Sequence, residues 1–343
     1  MELDADIIIR LMGVGASSLL LIVLLTGSIR QSLKIPLVGL VVGGAAYLIN
    51  TSGIMDRGTP FLMFIDLVSL ITPFWIWLFA RRLFERETPN WSLVLIGTIY
   101  LIGWVLAMTV DVGSGPGFYI IHVISLVLII DLIYVALSGL GDDLVSGRRL
   151  IRIYLPILIG LQSGGILLYE LVFGNFSSPF IIQITNASLI YLLILFGGIA
   201  LLKTNPELLV ATDDQKIASL DKLKLSPSEI VLHEKLQTAM HEGRYREPGL
   251  TIKSLAQYLG TPEHRLRALI NQKLGHRNFS SFLNGYRIKE ASEKLGNREL
   301  VDLPILTIAM DLGYNSLAPF NRAFRAETGK TPSDFRKSSI DQN

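Results

Sequence analysis

The sequence predicts an all-α chain in three stretches. A seven-helix apolar bundle covers residues 1–202, a joint covers 203–226, and a soluble helical domain with two helix-turn-helix units covers 227–343. Three observations predict this. Half of the 343 residues are hydrophobic and the mean hydropathy is +0.47, more apolar than a soluble chain of this length ordinarily is. Charge is unevenly spread: residues 1–202 hold 10 Lys and Arg with 12 Asp and Glu, while residues 203–343 hold 21 and 17. Two parts in different solvents are implied. Within the charged part, two short helix pairs each turn at a glycine, Gly260 and Gly313.

A helix that crosses a bilayer needs about 20 mostly apolar residues. Seven stretches qualify: 7–29, 35–54, 60–80, 91–110, 117–139, 152–173 and 180–202. A helix satisfies its own backbone, as lipid demands. The joints between them are polar or helix-breaking: Arg30 to Lys34, Asp56 to Pro60, Arg81 to Pro89, Asp111 to Gly117, Asp142 to Arg149, and Asn175 to Pro179. The acidic opening Met1 to Asp6 is unlike a cleavable signal, which begins basic, so no signal peptide is expected.

Loop charge predicts an orientation. Alternate joints carry Arg30, Lys34, Arg81, Arg82, Arg86, Arg148, Arg149, Arg152 and Lys203, and the other set carries only Arg57. Basic loops stay in the cytoplasm. The N-terminus is therefore expected outside and the C-terminal domain inside, in a multi-pass membrane protein.

Ionisable groups within such stretches are costly and draw interest. Asp66, His122 and Glu170, with Asn186, come from four helices. Each lies about three to seven residues in from the outer boundary, roughly 5–10 Å deep. Two uses are open: a common outward-facing pocket for a ligand or proton, the ligand being a small-molecule or protein signal, or interhelical hydrogen bonds that hold the bundle. Asp131 lies deeper, with no cationic partner evident at its level. Gly39-x-x-x-Gly43 and Gly160-x-x-x-Gly164 permit close helix approach, inside the bundle or across a homodimer. Pro73 and Pro156 are expected to kink their helices. With no Cys, disulfides and thiolate metal sites are excluded. No cofactor, metal site or catalytic constellation is expected.

The joint is mixed in charge and is either coil or a short helix. As coil it would reach only about 25–30 Å on average. Ser226-Pro227-Ser228-Glu229 then starts a helix, with a capping Ser, Pro at the first helical position and Glu at the third.

The first helix-turn-helix begins at Thr251, turns at Gly260, and restarts at Thr261-Pro262-Glu263. In its second helix Leu266, Leu269, Ile270 and Leu274 share one face. The opposite face holds His264, Ala268 and Asn271, flanked by Arg265 and Arg267. In the second helix-turn-helix, Ile308, Ala309 and Leu312 lead to Gly313-Tyr314, and Ser316 caps the next helix. There Phe320, Ala323 and Phe324 face inward. Ala318, Arg322 and Arg325 face outward with Asn321 at the edge. A connecting helix spans about 279–295, with Phe282, Tyr286 and Ile288 apolar and Arg287 and Lys289 exposed. Apolar inside and basic outside, directly after a glycine turn, is what a helix needs to enter the major groove.

The run Ile308-Ala309…Leu312-Gly313-Tyr314-Asn315-Ser316…Phe320-Asn321-Arg322-Ala323-Phe324…Gly329-Lys330-Thr331-Pro332-Ser333-Asp334-Phe335-Arg336 closely resembles the signature of AraC/XylS-type transcription regulators. Upstream, Leu255-Ala256…Leu259-Gly260…Leu266…Leu269…Leu274-Gly275 and Tyr286-Arg287…Glu290-Ala291 match the first half of that domain. The resemblance covers about 228–337, a third of the chain. It implies a bacterial source, and so the inner membrane of a bacterial cell for the apolar part, and two recognition helices in successive major-groove segments. By position it places His264, Arg267, Ala268, Leu317, Ala318 and Arg322 in base-facing slots. Ala268, Leu317 and Ala318 are apolar and can meet only thymine methyls, which leaves Arg267 and Arg322 as the strongest readers. The N-terminal ligand-binding domain of many relatives is replaced by the seven apolar stretches, so the resemblance does not name a signal.

The expected function is a membrane-integrated, sequence-specific regulator that couples a membrane or extracytoplasmic signal to promoter binding. Its expected partners are double-stranded promoter DNA, the lipid bilayer, RNA polymerase, a second copy of the chain and the unidentified signal. The alternative is a membrane transporter or enzyme with an autoregulatory DNA-binding tail.

Overall fold

A computed structural model describes residues 2–27, 29–52, 59–109, 115–174, 179–203 and 225–341. Among these residues every named element is helical, and one isolated antiparallel bridge pairs Asp143 with Asn278. Most of the joint, residues 204–224, lies outside the described residues. The chain divides into two compact units. The apolar unit holds Met1–Gly139 and Leu150–Asp213. The C-terminal unit holds Asp214–Asn343 together with a distant segment, Leu140–Arg149.

The apolar unit contains α1 (Glu2–Thr26), α2 (Gln31–Asn50), α3 (Pro60–Leu70), α4 (Thr72–Leu83), α5 (Asn90–Thr109) and α6 (Pro116–Ser138). Then come most of α7 (Ser146–Ile159), a π-turn at Gly160–Gly164, α8 (Gly165–Phe173) and α9 (Phe180–Lys203). With α3–α4 and α7–α8 each taken as one crossing, seven helices among the described residues are long and apolar enough to cross a membrane. Prolines begin α3 and α6 at positions where a missing N–H costs nothing. The third stretch breaks at Ile71, just before Pro73, so the expected kink is a change of helix. Pro156 sits within α7, one turn ahead of the π-turn.

Helix α6 packs on α4, α5 and α8. Its buried face carries Ile121, Ser125, Leu128, Leu132 and Val135, spaced by three and four residues as one helical stripe. A Cβ on Gly117 would collide with the backbone of Gly103 and Ala107, so α5 and α6 touch main chain to main chain there. On α2, a Cβ on Gly39 would strike the Trp75 indole and one on Gly43 the Thr72 hydroxyl. That glycine face is filled by α4, from inside the same unit. Large apolar side chains stand on the outside, among them Trp91, Val94, Leu161 and Val172. Water disfavours so large an apolar surface.

Asp131 does have a cationic partner, contrary to the sequence reading. Arg81 of α4 reaches it at 2.8 Å, and the Trp77 indole donates to the same oxygen at 2.7 Å. Position along the helix hid this, because a long arginine stem carries its charge well away from its own backbone.

The C-terminal unit contains α10 (Pro227–His241), α11 (Ile252–Tyr258), α12 (Glu263–Ala268) with a π-turn at Leu269–Lys273, α13 (Phe279–Gly296), α14 (Ile305–Asp311), α15 (Leu317–Thr328) and α16 (Pro332–Asp341). The expected start of α10 is present: the Glu229 carboxylate accepts from the Ser226 amide at 2.7 Å and the Ser226 hydroxyl at 2.8 Å. Two small cores form, one around each helix-turn-helix, and α13 contributes to both. The first buries Leu236, Leu255, Leu266, Ile270 and Phe282. The second buries Ile308, Leu312, Phe320 and Phe324. Leu144, from the distant segment, belongs to the first core.

Arg287, expected on the exposed side of the connecting helix, is buried instead. Its guanidinium donates to the Tyr245 carbonyl at 2.7 Å and to the Glu247 carbonyl at 3.2 Å, and lies over the Tyr314 ring. It ties α13 to the turn that follows α10. Burial lowers its pKa from the ordinary arginine value, and burial also pushes the Tyr314 hydroxyl up to about 12.

Candidate nucleic-acid interface

Both helix-turn-helix units are built by the same local means. Thr251 caps α11 by accepting from the Ser254 amide at 3.1 Å. The chain turns at Gly260, whose φ of +63° is a backbone state that favours glycine. Helix α12 follows Pro262. In the second unit α14 ends at Asp311 with Leu312 as its C-cap, Gly313 adopts φ +83°, and α15 starts after Ser316. Each second helix turns its apolar side into its own core: Leu266, Leu269 and Ile270 in one, Phe320 and Phe324 in the other.

On α15 the outward side is as expected. Ala318, Asn321, Arg322 and Arg325 are all exposed, with Ala323 and Leu317 partly buried. Helix α12 differs. His264 and Arg265 are exposed, and Ala268 and Asn271 are half-buried. The Asn271 amide donates to the His276 carbonyl at 3.1 Å, closing the end of the helix.

Arg267 is 7% exposed, so the sequence expectation of an outward-facing side chain does not hold for it. Its Nη1 donates to the Asp143 carbonyl at 2.6 Å, its Nη2 to the Gly141 carbonyl at 2.9 Å, and its Nε to Glu263 at 2.7 Å. The covering segment is Leu140–Arg149, some 120 residues earlier in the chain. Helical periodicity along α12 carries no information about a cover from so far away.

That segment is fastened at several points. The Leu144 amide donates to the Arg277 carbonyl at 3.1 Å, and the Phe279 amide donates to the Asp142 carbonyl at 3.0 Å. The Asp142 carboxylate accepts from the Ser280 amide at 2.8 Å and hydroxyl at 2.9 Å, at the N-terminus of α13. Asp143 pairs with Arg148 at 2.6 Å, and Arg148 also donates to the Arg277 carbonyl at 3.1 Å. Leu144 is buried in the core.

In the apolar unit the four polar residues singled out from sequence fall into three groups. His122 and Glu170 meet at 2.9 Å, with His122 Nδ1 2.8 Å from the Phe118 carbonyl oxygen. Asn186 accepts from Gln162 at 2.9 Å and donates to the Tyr47 hydroxyl at 2.8 Å. Asp66 accepts from Asn50 at 2.7 Å and from the Trp104 indole at 3.2 Å. The aromatic and amide partners Tyr47, Asn50 and Trp104 went unremarked in the sequence, since such residues are common at membrane interfaces and carry no charge to flag them.

Residues 255–338 match a family described as a helix-turn-helix domain. An uncharacterized helix-turn-helix-type transcriptional regulator of Staphylococcus aureus is 32% identical over 123 residues, which is 36% of this chain and 14% of that relative. The regulatory protein SoxS of Salmonella typhimurium is 41% identical over 61 residues, which is 18% of this chain and 54% of SoxS. Among solved structures, the C-terminal domain of AraT, a response regulator from Geobacillus stearothermophilus, aligns at 29% identity and a TM-score of 0.29, over 34% of this chain and 88% of that one. The chain thus spans well under two thirds of the length of either curated relative. The matched residues coincide with the two units described above. Residues 255–338 of this chain are thus similar to a helix-turn-helix domain.

Proposed function

We propose that this protein is a membrane-integrated transcription regulator that binds promoter DNA through both helix-turn-helix units. One observation carries the reading: a helix-turn-helix domain with exposed basic residues on α15 shares a chain with seven helices, among the described residues, that are apolar enough for a bilayer. Arg322 and Arg325 supply cations for base edges and phosphates, and His264 and Arg265 do so from α12. The loop charges favour a cytoplasmic C-terminal unit and an outer N-terminus. The test is selection of duplexes from a random library by the full chain in nanodiscs, beside reporter fusions. A cytoplasm-dependent reporter should work after Lys203 and be silent at Ser114 and Ser177. Enrichment of no sequence, or the reverse reporter pattern, overturns the reading.

Signal reception belongs to the same proposal. His122 and Glu170 join α6 to α8. The ring is held at both nitrogens, with Nδ1 2.8 Å from the Phe118 carbonyl oxygen and Nε2 2.9 Å from the Glu170 carboxylate. The pair is a place where a proton or a polar ligand would change how the two helices are held, with Asp66 and Asn186 in the neighbouring groups. Substituting Gln at either position should change reporter output per inserted molecule. An unchanged response, with normal insertion, assigns these groups to bundle assembly alone.

A further inference from the structure

We propose that Leu140–Arg149 is an internal latch that competes with DNA for the first helix-turn-helix. The inference rests on the DNA-binding reading above. The segment is the connection between α6 and α7, yet it is part of the C-terminal unit.

The atoms it presents are of the kind a nucleic-acid backbone presents. Carbonyl oxygens of Gly141 and Asp143 hold the Arg267 guanidinium. A carboxylate, that of Asp142, takes the Ser280 N–H at the start of the eighteen-residue α13. Arginine side chains and helix N-termini are two standard donors to phosphate. With Nε, Nη1 and Nη2 all engaged by these carbonyls and by Glu263, and the side chain 7% exposed, the guanidinium is closed to a base edge. Docking therefore withdraws a cation, and DNA binding with Arg267 requires the segment to leave.

The segment is also placed to respond. Its two ends continue into α6 and α7. His122 lies on α6, and Glu170 lies on α8 beyond the π-turn. Arg152 of α7 donates to the carbonyls of Val135 and Ala136 at 3.1 and 3.2 Å, so the two helix ends are bound to each other beside the segment. A shift of α6 against α7 pulls on a short connection whose hold on the first helix-turn-helix includes seven hydrogen bonds and one leucine in its core. A latched state in equilibrium with a free one lowers apparent affinity by the fraction latched.

The chain has no cysteine, so an introduced pair reports cleanly. The Asp142 and Ser280 side chains already meet, and D142C/S280C should close a disulfide in the full chain in nanodiscs. The probe is the duplex enriched by the reduced protein from a random library. Oxidation should weaken binding roughly tenfold to a hundredfold, the worth of one arginine–base contact, and reductant should restore it. Leu144→Ser, which loosens the segment without a cross-link, should tighten binding relative to the parent. Equal affinity of the oxidised and reduced forms overturns the latch while leaving DNA binding intact. Failure of the disulfide to form under oxidant also overturns it, because the segment is then not docked. Enrichment of no sequence by the reduced protein removes the DNA-binding reading itself, and the latch with it.

Discussion

The two helix-turn-helix units have the same plan and differ in what covers them. Each has a left-handed glycine in its turn, an apolar face on its second helix and an arginine one turn or more into that helix. Arg322 of α15 is exposed, whereas Arg267 of α12 is buried under a segment from elsewhere in the chain. Equivalent places in a repeated motif therefore do not imply equivalent availability. Availability is set by tertiary packing, and here the packing partner is the connection between two apolar helices.

The turns differ as well, and they offer the largest expected effect. At Gly313 a Cβ would sit 2.5 Å from the Arg246 carbonyl oxygen and 2.9 Å from the Arg287 guanidinium, with φ at +83°. At Gly260 φ is +63° and no atom lies within 4 Å. G313A meets both backbone strain and a clash with main chain, and should cost about 2–4 kcal/mol. G260A meets strain alone and should cost about 1–2 kcal/mol. Hydrogen exchange of amides in α14 and α15, against those in α11 and α12, reads each loss locally in the full chain. Equal losses would break the claim that the second turn is the more tightly packed.

Binding comes next in size. Arg322→Ala should cost about 1–3 kcal/mol at an enriched duplex whether or not the segment is docked. Arg267→Ala should cost much less in the parent chain, because the guanidinium is already committed. In the Leu144→Ser background its cost should rise to match Arg322→Ala. This is a double-mutant cycle with a stated sign. The two sensitive base pairs should lie about 10 base pairs apart if one chain reads both sites. Identical costs for Arg267→Ala in the two backgrounds would show that docking does not compete with DNA.

Legibility from sequence followed the range of the interaction. The seven apolar helices were readable because each is a local run of apolar residues ended by Pro, Gly or charge. The cap at Ser226 and the turns at Gly260 and Gly313 were readable because their chemistry spans three or four residues. The inward faces of α12 and α15 followed from helical period. The misread residues were long side chains acting at a distance. Arg81 reaches Asp131, Arg287 reaches the turn after α10, and Arg267 meets carbonyls 124 and 126 positions away. Periodicity assigns a long arginine to the surface by default, and only the folded partner shows otherwise.

The smallest expected effect separates the two halves by pH. Each second helix is followed by a left-handed glycine, Gly275 or Gly329. The next residue is His276 in the first half and Lys330 in the second. The His276 ring packs edge-on against Phe282, with centroids 5.4 Å apart, and burial lowers its pKa below the ordinary imidazole value. The folded state thus favours the neutral ring. Stability from this site is fully present above the unfolded imidazole value of about 6.5 and is lost as pH falls through that value toward the lower folded one. Lys330 has no imidazole at the equivalent place, so the second half lacks this group. Hydrogen exchange followed from neutral to mildly acid pH, corrected for intrinsic rates, should therefore show amides around 269–283 losing protection that amides around 317–335 keep. His276→Gln, with no ring to protonate, should flatten the first profile onto the second, leaving the exposed His264 common to both proteins. A first-half profile unchanged by that substitution would place the acid sensitivity elsewhere. The difference between the halves would then reduce to the segment that covers one of them.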